Sequence, residues 1–69
     1  MTEIRNKNHV VVYDGAVLSS EAVRERPGEP WVITKRHYGL PKMTKVATVY
    51  PYLPEVLQRK MVLTILEAL

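Results

Sequence analysis

Residues 61–69 hold only two polar side chains, Thr64 and Glu67, and that run constrains the fold more than any other. Pro54 suits the first position of a helix, where a missing N–H costs nothing. Glu55 then falls in the first turn, at the positive end of the helix dipole. Leu57, Met61, Ile65 and Ala68 follow at i, i+4, i+8 and i+11, so residues 54–69 are predicted to be helical. Val56, Leu63 and Leu66 lie off that stripe. A helix apolar on nearly every side has to be buried on nearly every side. A chain of 69 residues buries only about 60% of the surface its unfolded form exposes, so it cannot easily surround its own last helix. Leu63 and Leu66 therefore read as contacts for a second copy of the chain or for a larger protein.

The absence of cysteine sharpens that expectation. It removes disulfides, thiolate metal sites and redox motifs. A small chain is then left with a well-packed core, an oligomer or a partner. With 46% apolar and 25% charged residues, the composition is that of a folded domain. Residues 1–8, MTEIRNKN, place charges without an apolar run behind them, unlike a signal peptide. The longest apolar run, residues 10–13, is far short of the roughly 18 residues of a membrane span. A soluble, cytoplasmic protein with no membrane partner is the expectation. Residues 1–8 read as a flexible polar arm, and residues 9–69 as a single small domain.

The rest of the chain reads mainly as strands. His9-Val10-Val11-Val12-Tyr13 is β-branched and aromatic, and its unbroken valines suggest burial on both faces or pairing with another chain. Asp14-Gly15 separates it from Ala16-Val17-Leu18. Asp-Gly between apolar runs signals a hairpin, through a type I′ turn with positive φ at both central residues. Strands are predicted at 9–13 and 16–19. Residues 19–26 suit one or two helical turns capped by Ser20, or residues 22–26 a strand entering a Pro27-Gly28-Glu29-Pro30 turn, the strand being preferred. Residues 31–38, Trp31 to Tyr38, form the next strand, apolar in its first half and polar in its second. Its basic end should leave the core, and Tyr38-Gly39-Leu40-Pro41 should close it. Residues 45–50 fit a strand better than the competing helical spacing of Met43, Val46, Ala47 and Tyr50. Pro51 to Pro54 reads as an extended connector. The predicted fold is α+β: a small antiparallel sheet of three to four short strands packed against one C-terminal helix.

Charge is unevenly spread. Residues 1–29 carry four basic and five acidic side chains, and residues 55–69 two of each. Residues 30–54 carry Lys35, Arg36, Lys42 and Lys45 and no acid, so the whole net charge of +3 arises there. The same stretch holds Trp31, His37 and three of the four tyrosines. Such a basic-aromatic strand could meet phosphates and stack on bases. It could equally steer an acidic protein, or simply keep an exposed strand edge from aggregating.

Catalytic chemistry finds little support. Ser19 and Ser20 lack the flanking glycines of a nucleophile elbow, and no glycine-rich loop cradles a phosphate. His9 and His37 are 28 positions apart, and two imidazoles alone make an incomplete zinc site. Pro51-Tyr52-Leu53-Pro54 has the P-x-x-P form of a polyproline ligand, but Val56 and Leu57 stand where a nearby arginine is wanted. The sequence thus reads as a small non-enzymatic regulator or inhibitor that binds protein, as a homodimer, with a larger partner, or both. No catalytic residue, metal, cofactor or small-molecule substrate is assigned. The partner-binding residues are Trp31, Lys35, Arg36, His37, Tyr38, Lys42, Lys45, Leu63 and Leu66. The alternative is a nucleic-acid-binding regulator using residues 31–45.

Overall fold

The computed structural model describes residues 1–37 and 42–69. Among them, β1 (Thr2–Asn6), β2 (His9–Asp14), β3 (Val17–Val23), β4 (Trp31–Arg36) and β5 (Met43–Val49) form one antiparallel sheet in that order, and α1 (Glu55–Ala68) follows. The fold is α+β, with five strands where three to four were expected. Tyr38 and the closing segment through Pro41 lie outside the described residues.

The additional strand comes from the stretch read as a polar arm. The Asn8 N–H donates to the Asn6 side-chain oxygen at 2.8 Å, and an amide two residues back in this way imitates a backbone turn. The chain reverses at Lys7-Asn8, and Ile4 pairs with Val10. The Met1 amine donates to the Tyr13 carbonyl at 2.6 Å, and the Tyr13 N–H donates back to the Met1 carbonyl at 2.8 Å. All five residues of β1 are exposed, so no apolar alternation announced it.

Asp14 and Val17 form the last pair between β2 and β3, leaving Gly15 and Ala16 at the turn. Gly15 has φ +65°, and among the described residues none other than glycine has positive φ. One positive φ at the first central position suits a type II′ turn, where I′ had been expected on Asp14-Gly15. β3 continues through Val23, so no helical turn forms at Ser20. Ser19 is the extra residue of a bulge and donates its hydroxyl to the Val12 carbonyl at 3.1 Å. The Pro27-Gly28 turn forms: the Glu29 N–H donates to the Arg26 carbonyl at 3.0 Å, with Gly28 at φ +96°. Proline followed by a positive-φ glycine is the type II pattern.

β5 is a strand because β4 supplies its partners, Trp31 opposite Val49 and Ile33 opposite Ala47. Val46 is left over as a bulge between the Ala47 and Lys45 pairings. Residues 51–53 turn, where an extended connector was expected, and Gln58 holds them there. Its side-chain amide donates to the Leu53 and Pro51 carbonyls at 2.7 and 3.3 Å. Pro54 sits one residue earlier than expected, as the N-cap of α1.

α1 packs across β3, β4 and β5. It buries Gln58, Val62 and Leu66, a stripe one residue round from the one expected; Leu57 and Met61 are exposed instead. Facing them, Val10, Ala22, Trp31, Ile33 and Val49 complete the core. The valines of β2 are indeed buried on both faces: Val10 lies beneath the helix, and Val11 is buried on the opposite face. There the Arg5–Tyr13 and His9–Glu21 hydrogen bonds flank it.

Trp31 is the largest side chain of this core and 1% exposed. Trp31→Ala is expected to cost about 3–5 kcal/mol, comparable with the whole stability of a domain this small. Chemical denaturation checks this, and a loss below about 1 kcal/mol would contradict the placement. Leu66→Glu should unfold the isolated chain by burying an unpaired carboxylate. Its circular dichroism should lose the helical signal at every protein concentration.

Candidate protein-interaction surface

Arg24 follows β3 on the face that α1 covers, and its side chain is 1% exposed. All five guanidinium donors are used. Nε donates to the Asn8 side-chain oxygen at 2.9 Å. One terminal nitrogen donates to Glu55 at 2.9 Å and Gln58 at 3.5 Å. The other donates to Glu55 and to the Lys7 carbonyl, the latter at 3.1 Å. The guanidinium also lies 4.7 Å from the centroid of the Trp31 ring, a cation–π contact made stronger by desolvation. This junction joins the β1–β2 turn, the end of β3, the first residue of β4 and the start of α1. It was not anticipated. The alternation Ser20, Ala22, Arg24 was its one trace in the sequence, running from buried positions into a charged residue on the same face.

The junction fixes which side of α1 faces outward. Arg59 and Leu63 flank a crevice of about 60 Å³ shared with Ile4, Val10, Trp31 and Val62, on the β1–β2 side. Leu57 and Arg59, like Met61 and Leu63, are two residues and so about 200° apart round the helix. Leu57 and Met61 therefore lie on the other flank, the side of β4 and β5. They are 45% and 43% exposed, with Val56 at 76% and Tyr52 at 81%. Tyr50 stacks on Tyr52 with centroids 5.9 Å apart and planes 10° apart, and it too is exposed. Five large apolar or aromatic side chains within twelve consecutive residues are thus exposed.

The residues singled out from the sequence are dispersed. Trp31 and Leu66 are sealed in the core, and Leu63 is half-buried against it. Leu63 and Leu66 do not offer the open contact surface expected of them. Alternation along β4 puts Lys35 on the helix side with Trp31 and Ile33. Arg36 lies on the opposite face with Thr34, whose neighbour across the ladder is Lys45. The Arg36 Nε donates to the Leu18 carbonyl at 3.1 Å. His37 and Lys42 are exposed beyond the strand ends. Alternation thus divides the basic stretch between two faces of the sheet, although Lys35 and Arg36 both line one depression near its edge. Leu57 and Met61 were missed because their i, i+4 spacing reads as a buried stripe.

A depression of about 370 Å³ is lined by Ser19, Ser20, Asp14, Lys35 and Arg36, but the Ser19 hydroxyl donates to the Val12 carbonyl. His9 pairs with Glu21 at 2.9 Å. Among the described residues no three His, Cys, Asp or Glu side chains cluster as metal ligands. No described helix is long and apolar enough to cross a membrane. Comparison with protein-family models, with known proteins and with solved structures finds no match.

The Arg24 guanidinium holds the Glu55 carboxyl below the usual carboxylate range, its hydrogen bonds outweighing the cost of burial. A depressed folded pKa adds stability that is whole above the unfolded carboxylate value, about 4.3. That stability is lost as pH falls through the lower folded value. Glu55→Ala is expected to cost about 2 kcal/mol at neutral pH, within the range for hydrogen bonds to a charged group. The two proteins should converge in stability at acid pH. A difference that stays constant from pH 7 to pH 2 in urea denaturation would contradict the ion pair.

Proposed function

We propose that the protein is a small non-enzymatic regulator or inhibitor that acts by binding another protein. The contact surface is formed by Tyr50, Tyr52, Val56, Leu57 and Met61, with the basic side chains of residues 30–54 steering the approach. The observation that carries this reading is the exposure of those five side chains within residues 50–61, two of them stacked aromatics. Tyrosine and methionine are enriched at the centres of protein interfaces. A contiguous apolar patch on a small soluble chain is costly unless something covers it. The charge asymmetry supports an acidic partner, since steering acts mainly on association rate.

The nucleic-acid reading of residues 31–45 is the weaker one. Alternation separates Lys35 from Lys45 across the sheet, and Arg36 is engaged by the Leu18 carbonyl, so the cations do not form one continuous face for a duplex or strand. Apolar contact area also contributes little to phosphate binding.

Affinity capture from the native cell with wild-type protein, Tyr52→Ser/Met61→Ser and Lys35→Gln/Arg36→Gln tests the proposal. The first double variant should fold within about 0.5 kcal/mol of wild type per site, as exposed substitutions generally do, and lose a captured protein. The second should slow association while leaving dissociation nearly unchanged. Capture that survives Tyr52→Ser/Met61→Ser, or binding to labelled DNA or RNA with steep salt dependence, would replace this reading.

A further inference from the structure

β5 ends the sheet with nothing paired to its outer edge among the described residues. Half of its backbone N–H and C=O groups point away from β4, as at any sheet edge. Two features separate this edge from β1 at the other end. β5 is seven residues long, against five for β1. The flank of α1 that carries Leu57 and Met61 is also turned toward its side of the sheet, whereas β1 borders the narrow crevice at Arg59 and Leu63. Anything lying along β5 therefore meets unpaired backbone, an apolar shelf on the helix side, and Lys45 on the open side.

Charge selects among occupants. Residues 42–54 hold Lys42 and Lys45 and no acid. A second copy joined antiparallel through β5 would bring four lysines to one seam without a carboxylate. Like charges directly across strands oppose pairing, and lysine on an edge is a common guard against self-association. The same two cations attract an acidic strand.

We infer that the free edge of β5 accepts one extended strand from an acidic partner protein. In that strand apolar side chains alternate with carboxylates. Period-two alternation puts the apolar set on Leu57 and Met61 and the carboxylates beside Lys45 on the open face. Backbone hydrogen bonds supply affinity, and the alternation supplies specificity, as in strand-addition binding generally. This inference rests on the proposed protein-binding role and names its partner chemistry.

The test uses two end-blocked heptapeptide probes, one alternating valine with glutamate and the other valine with lysine, titrated into the isotope-labelled full chain. The acidic peptide should slow amide exchange in β5, shift the Leu57 and Met61 methyl resonances, and weaken as salt rises; the basic peptide should do none of these. Lys42→Glu/Lys45→Glu, at exposed positions, should reverse the preference by about tenfold or more. Leu57→Ser/Met61→Ser should weaken the acidic peptide and keep the preference. Equal binding of both peptides, protection at β1 instead, or no binding at millimolar peptide would overturn the inference. Protection of β5 that grows with protein concentration and no peptide would give the edge to a second copy and also overturn it. A captured protein that depends on Tyr52 and Met61 but leaves β5 exchange unchanged would leave the protein-binding role standing and remove strand addition alone.

Discussion

The buried guanidinium of Arg24 is the interaction on which the arrangement depends. Desolvating a charge costs several kcal/mol even after relaxation, so the site exists only because every donor is answered. Two of its acceptors lie on the β1–β2 turn, at Lys7 and Asn8. The others are Glu55 and Gln58, at the start of α1. Lysine could not replace it, since an ammonium offers three donors from one point and no planar fork. Gln58 passes the constraint on by donating to the Pro51 and Leu53 carbonyls, which bends the chain from β5 into α1. One side chain thus sets both where the helix begins and how far it is rotated about its axis.

That rotation explains the division of α1. With Gln58 held inward, Val62 and Leu66 follow it into the core at i+4 and i+8. Leu57 and Met61 are carried to the β5 side. A purely apolar count would bury the more hydrophobic stripe. The bonded amide of Gln58 can be buried because its polar atoms are satisfied, and its partners lie on only one side. Trp31 benefits from the same geometry, since the guanidinium covers its ring.

The parts of the fold legible from sequence were those written in local pattern. The Val-rich β2, the Trp31 strand, the Pro27-Gly28 turn and the C-terminal helix all carry apolar runs or turn residues with a direct conformational cause. What escaped was written in side-chain hydrogen bonds over longer separations. β1 is wholly exposed and is held by the Asn6 side chain and the Met1–Tyr13 backbone bonds. The rotation of α1 is set by Arg24, 31 positions before Glu55. The division of the basic stretch between faces was readable in principle from alternation, since Lys35 and Arg36 are neighbours on one strand. Tyr50, Tyr52, Leu57 and Met61 could not be placed outside until the rotation of α1 was known.

Small size alone does not account for the exposed apolar set. A chain of 69 residues must leave some apolar surface in water, and singly exposed apolar residues are ordinary. Val17 lies beside the β2–β3 turn and Ile4 on β1, each apart from the α1–β5 corner, and both belong to that ordinary class. Residues 50–61 differ in kind. Their exposed members include two stacked aromatics and a methionine, and they adjoin an open sheet edge with no acidic residue in it. Leu57 and Met61 are exposed because the junction at Arg24 turns them outward, and restoring them to the core would break the hydrogen bonds that bury Arg24. The same interaction that stabilises the fold therefore also presents the surface, so the two cannot be optimised separately.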